Sequence, residues 1–237
     1  MGGQAPGGAV FFLLAFACDG GSNYGYAGFD MVDHFPLDGQ REWRYSNSAY
    51  DYNLEVELSD ETTVAGDLIV HKFEYYSEAN GNLLWDMSFS SDTINGVQVH
   101  GYTVHSEDGG GGDTGDTGGD DTDDSGGAEG PEEVVQFSPP LILAEDQMVP
   151  GDSVVTETGG INFVATFHHQ VDCPNDWISG ENTWKCLYVT VDDGDGDDLT
   201  GSKAAGGYWI APRYGMSWFQ QTGDTDKWVL GEADWAP

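Results

Sequence analysis

Apolar side chains recur at every second position through most of this chain. Tyr52, Leu54, Val56 and Leu58 alternate with polar residues, and so do Leu83, Trp85, Met87 and Phe89. The run Ile161, Phe163, Ala165, Phe167, His169 and Val171 keeps the same period, as does Leu187, Val189 and Val191. A period of two sends successive side chains to opposite faces, so each run predicts a strand with one buried face. Asn80-Gly81, between Phe73–Tyr76 and Leu83–Trp85, is a strong hairpin signal. Asn95-Gly96 and Gly159-Gly160 punctuate the pattern in the same way. Beyond the first twenty residues no stretch keeps a helical period over three turns. The expected fold is all-β and antiparallel, in one curved or two packed sheets of about ten strands, with a disordered acidic insert.

The chain starts differently. Nine apolar residues, Ala9 to Ala17, run straight into Cys18-Asp19-Gly20. Such a run is short of the roughly 20 residues a spanning helix needs, and it suits the apolar region of an export signal. Ala15 and Ala17 stand three and one places before Cys18, an arrangement that resembles a bacterial lipobox. The resemblance implies cleavage after residue 17 and acylation of Cys18. The chain departs from the pattern in having Ala15 where Leu is preferred, and residues 1–8 contain no Lys or Arg. The expected organisation is a signal peptide over 1–17, a lipidated cysteine and glycine-rich tether over 18–30, and a single β domain over 31–237. The expected location is the cell envelope, membrane-anchored and facing the periplasm or exterior.

Charge narrows the partners. The chain has 42 acidic residues against 7 Lys and Arg, for a net charge of −35. With no basic footprint to neutralise phosphates, nucleic acid is not an expected partner. Residues 107–133 concentrate 11 of the acids among glycines, without one base and with Ala128 as almost the sole apolar side chain. That segment has too little apolar surface to offset chain entropy, so it is read as disordered. The three cysteines divide naturally. Lipidation of Cys18 leaves Cys173 and Cys186, an even pair expected to form a disulfide in an exported protein.

Several segments resemble a largely uncharacterised family of secreted bacterial β-rich proteins, many of them lipoproteins. His34-Phe35-Pro36-Leu37 followed by Trp43-Arg44-Tyr45 looks like that family's opening. Pro139-Pro140-Leu141-Ile142-Leu143 with Val149-Pro150-Gly151-Asp152-Ser153 resembles its middle, and Thr183 to Val189 a later strand. Tyr208-Trp209-Ile210-Ala211-Pro212 and Gly215-Met216 resemble its ending, although Arg213-Tyr214 stand where Gly-Val is usual. The resemblance implies a fold and a compartment, and places the acidic insert inside one domain. Physically, Phe35, Trp43 and Tyr45 carry large rings suited to a core. Trp209 is given a core or corner role with them, Pro36 and Pro212 are expected to stop strands, and Gly215 to take a positive φ in a turn.

Candidate chemistry is thin. Asp193, Asp195 and Asp197 alternate as in the first half of an EF-hand loop, but Asp198 and Ala204 stand where Gly and Glu would be required. A weak, water-rich calcium site is the one cofactor considered. His168 and His169, adjacent on a strand, are expected to face opposite ways, as are His100 and His105. No zinc, nucleophile-elbow or phosphate-loop motif is present. The expected function is therefore a non-catalytic envelope lipoprotein. The alternatives are a module binding an apolar ligand in the manner of lipoprotein carriers, and an exported hydrolase using carboxylates that abundance conceals.

Overall fold

The fold is all-β and antiparallel, as expected, and of the two expected arrangements it takes the single curved sheet, with twelve strands among the described residues. The computed structural model describes residues 35, 37, 41–65, 68–105, 133–173, 185–196, 198–212 and 214–233, without the side chains of 60–65, 170–172 and 185. The strands are β1 Glu42–Ser46, β2 Leu54–Ala65, β3 Leu68–Ser77, β4 Leu83–Asp92, β5 Gly96–Val104, β6 Glu133–Ala144, β7 Ser153–Thr158, β8 Ile161–Asp172, β9 Lys185–Asp193, β10 Gly206–Ala211, β11 Gly215–Gln221 and β12 Trp228–Ala233. β7 is the short strand that alternation does not announce, since its sequence Ser-Val-Val-Thr-Glu-Thr sets two valines side by side.

Every neighbouring pair is antiparallel, in the order β6-β5-β4-β3-β2-β1-β12-β11-β10-β9-β8-β7. The chain thus runs as two meanders, and β1 joins them by pairing Trp43 with Ala233 and Tyr45 with Leu230 of β12. The sheet curls until its two edges, β6 and β7, lie together as a nearly closed barrel. The seam is made by side chains. Ser138 N–H donates to Thr158 Oγ1 at 2.8 Å and Ile142 N–H to Thr156 Oγ1 at 3.2 Å. Between those donors stand Pro139 and Pro140, which have no N–H to offer a ladder.

A barrel of this many strands is wide, and aromatic rings fill it. Trp43 stacks on Phe73 at 5.2 Å, Phe73 meets Phe89 edge-on at 5.0 Å, and Tyr75 stacks on Trp85 at 4.7 Å. Phe35, which belongs to no strand, inserts against Phe73 and Phe89 at 5.8 and 5.2 Å and is 1% exposed. The hydroxyl of Tyr45 donates to Met216 O at 2.6 Å, and the indole N–H of Trp43 to Tyr214 O at 2.8 Å. The opposite face carries Glu55, Glu57, Glu74, Thr166 and Thr190. Ile69, Val155, Tyr188, Trp209 and Trp218 share that face, so it is mixed rather than polar throughout. Among the described residues no helix is long and apolar enough to cross a membrane.

Cys173 and Cys186 are bonded across the β8–β9 connection, with Cα atoms 4.9 Å apart. Pro212 follows the last residue of β10, and Gly215 opens β11 at φ 71°. Gly206 is more constrained. A Cβ there would lie 2.0 Å from Gln220 O, at φ 137°, so only glycine lets β10 approach β11.

The acidic segment falls between β5 and β6, neighbours in one sheet, and Glu133 belongs to β6 rather than to the insert. Residues 106–132 lie outside the described residues. Their flanks are in register, Val104 opposite Glu133. Replacing 109–130 by a short Gly-Ser loop is therefore expected to preserve the fold, because loop-closure entropy changes by only about 0.6 kcal/mol per doubling of length. Thermal melts of the two chains in chelator should nearly coincide; a large loss on shortening would mean that the insert supports the barrel.

Candidate functional site

Where β6 runs past the end of β7, the seam parts into a cavity of about 360 Å³. The antiparallel register places it. Thr158 ends β7 opposite Ser138, so residues 133–137 of β6 extend beyond β7 and lie over the β7–β8 turn. Tyr102 of β5 and Phe137 and Phe163 form one aromatic wall, with ring centroids 6.1 Å and 5.5 Å apart in edge-to-face contacts. Ile161 and Val135 add aliphatic surface, and the loop 198–202 forms the remaining side through Leu199, Thr200 and Ser202. The carboxyl groups at this cavity belong to Glu133 and Asp198. No Lys, Arg or His is among the lining residues.

Local hydrogen bonds set the chemistry of that loop. Asp198 accepts the backbone N–H of Thr200 at 2.9 Å, and with the Thr200 hydroxyl this holds its carboxyl below the usual range. Burial raises the Tyr102 phenol, partly opposed by hydrogen bonds to the Ser202 side chain and the Lys203 backbone. Lys203 anchors the loop from behind the wall. Its ammonium sits 4.6 Å over the Trp85 ring and donates to Gln221 Oε1 at 3.1 Å. Burial lowers its pKa, while Asp224 and Glu133 pull it back up. Tyr208 donates to Ala204 O at 2.8 Å and fixes the loop's far end.

The residues singled out from sequence are scattered. Phe35, Trp43 and Tyr45 lie in the core, as expected, away from the cavity lining. Trp209 packs against that core from the other side of its strand. It sits half-buried on the outer face, stacked on Tyr188 at 4.3 Å, and Tyr208 takes the inward position instead. Asp193 and Asp195 share one turn, in which Asp195 N–H donates to Asp193 Oδ1 and Asn162 Nδ2 to Asp195 Oδ2. Asp197, Pro36 and Cys18 lie outside the described residues. Among the described residues no three His, Cys, Asp or Glu side chains converge as a metal site.

Two histidine expectations are overturned by bulges. A register shift between Phe167 and His169 brings both His168 and His169 to Tyr188, at 5.0 and 6.4 Å. Another, between Val99 and Gly101, turns His100 to the face used by His105. His100 meets Ser90 at 2.8 Å and His105 meets Asp86 at 2.9 Å, both outward residues of β4. The Ser90–His100 pair is not a usable nucleophile, since Ser90 is 1% exposed. The cavity residues escaped the sequence reading. Phe163 signalled only a strand, and Leu199, an apolar side chain amid Asp and Gly, was the one local sign.

No protein-family model matches the chain, and neither a curated protein nor a solved structure does.

Proposed function

We propose that the chain is a non-catalytic, lipid-anchored envelope protein whose barrel binds one small ligand in the seam cavity. The cavity carries the reading. About 360 Å³ of space, walled by three aromatic rings and rimmed by hydroxyls and carboxylates, is what a small-molecule site requires. The small-x-small-Cys sequence at Cys18 supports the anchor, and the Cys173–Cys186 disulfide supports export. A hydrolase would need a carboxylic acid held protonated. Asp198 is shifted the other way, and Glu133 is exposed.

N-phenyl-1-naphthylamine, a neutral fluorophore small enough for the cavity, is expected to bind one-to-one with saturation. Ile161→Trp fills the space and should abolish that binding. Failure to saturate, or binding that survives the filled cavity, would refute the site. Intact-mass analysis of membrane-extracted protein should show residues 1–17 removed and acyl chains added; a soluble form starting elsewhere would refute the anchor.

A further inference from the structure

We infer that the ligand of the seam cavity is an amphipathic organic cation, an ammonium carried on a flat apolar body; this rests on the binding reading above. Two features of the site act together. The wall of Tyr102, Phe137 and Phe163 is aromatic, and ring faces attract a cation by their quadrupole as well as burying apolar surface. The carboxyl groups of Glu133 and Asp198 stand at the same cavity, with no basic side chain lining it to neutralise them. The nearby ammonium, that of Lys203, lies over Trp85, donates to Gln221 and is shared electrostatically between Asp224 and Glu133. Asp198 is held as a carboxylate by Thr200.

The alternatives fit less well. A carboxylate or phosphate ligand would meet two like charges and no cationic donor, only hydroxyls and the Gln136 amide. A neutral apolar ligand would fill the rings but make no use of the negative charge of the two carboxylates at the rim. A net charge of −35 draws any cation toward the chain, which speeds encounter but does not select an aromatic one. Selection belongs to the cavity, so the test must separate the two.

Three probes of one shape do so: 1-naphthylmethylammonium, 1-naphthalenemethanol and 1-naphthylacetate, titrated calorimetrically into the full chain at low and moderate salt. The cation is expected to bind at least about tenfold more tightly than the alcohol, with the acetate not binding. Glu133→Gln and Asp198→Asn should each bring the cation toward the alcohol's affinity and leave the alcohol unchanged. Ile161→Trp should remove cation and alcohol alike; if that variant melts early, Val135→Phe on the facing strand is the second filler. Equal binding of cation and alcohol would overturn the inference and leave the binding module standing. Cation binding that persists in a filled cavity would overturn it as diffuse attraction. If none of the three binds, the inference and the binding reading fall together.

Discussion

Raising the pH above 10 is expected to unfold this protein steeply. Tyr45, Tyr75 and Tyr208 are fully buried, and burial pushes each phenol far above its ordinary value of 10. The unfolded chain releases those three protons near pH 10, whereas the folded chain keeps them. A raised folded pKa contributes stability below the unfolded value and loses it as pH climbs toward the folded one. Each such group costs about 1.4 kcal/mol per pH unit, so three together cost about 4 kcal/mol per unit. A domain stable by about 5–15 kcal/mol would exhaust that margin between roughly pH 11 and 14. Lys203 acts in the opposite sense. Its pKa is lowered, so deprotonation relieves a penalty as pH rises, but it is one group and its effect ends near its unfolded value of about 10.4. Absorbance at 295 nm should show tyrosinate appearing together with loss of the far-ultraviolet strand signal. Complete ionisation near pH 10 with the sheet intact would show that these rings are not buried.

Trp43→Ala is expected to cost about 3–5 kcal/mol, the usual loss for a buried aromatic. The position is unusually consequential because β1 is the strand that joins the two meanders. The indole stacks on Phe73 of the first meander, and its N–H reaches Tyr214 O beside β11 of the second. Removing it opens a cavity in one half and takes a donor from the other. For a domain near 200 residues such a loss lowers the melting temperature by roughly 6–20 °C. Trp43→Phe keeps a ring against Phe73 but deletes the N–H, and should cost about 1–3 kcal/mol. Equal losses in the two variants would place the whole effect in the hydrogen bond and contradict the stacking argument.

Strand periodicity, the three hairpin turns and the Cys173–Cys186 pair were all legible in the sequence. Each is set by neighbours along the chain or, for the cysteines, by an even count once Cys18 is assigned to lipid. Phe35, Trp43 and Tyr45 could be assigned to a core because large rings are costly to leave in water. Trp209 could not be placed the same way. The face a strand residue takes depends on register, and a bulge between Trp209 and Ile210 lies beside it. Bulges also reversed the readings for His168, His169, His100 and His105, since one extra residue re-aims a side chain without leaving a mark in composition. The cavity belongs wholly to the tertiary structure. It exists because β6 outruns β7 at the seam where twelve strands nearly close, and because Lys203 holds the loop 198–202 against the gap. Sequence alone determined that this chain makes half-buried antiparallel strands. Where the sheet meets itself, and what space that leaves, was decided by strand number and curvature, which no local pattern encodes.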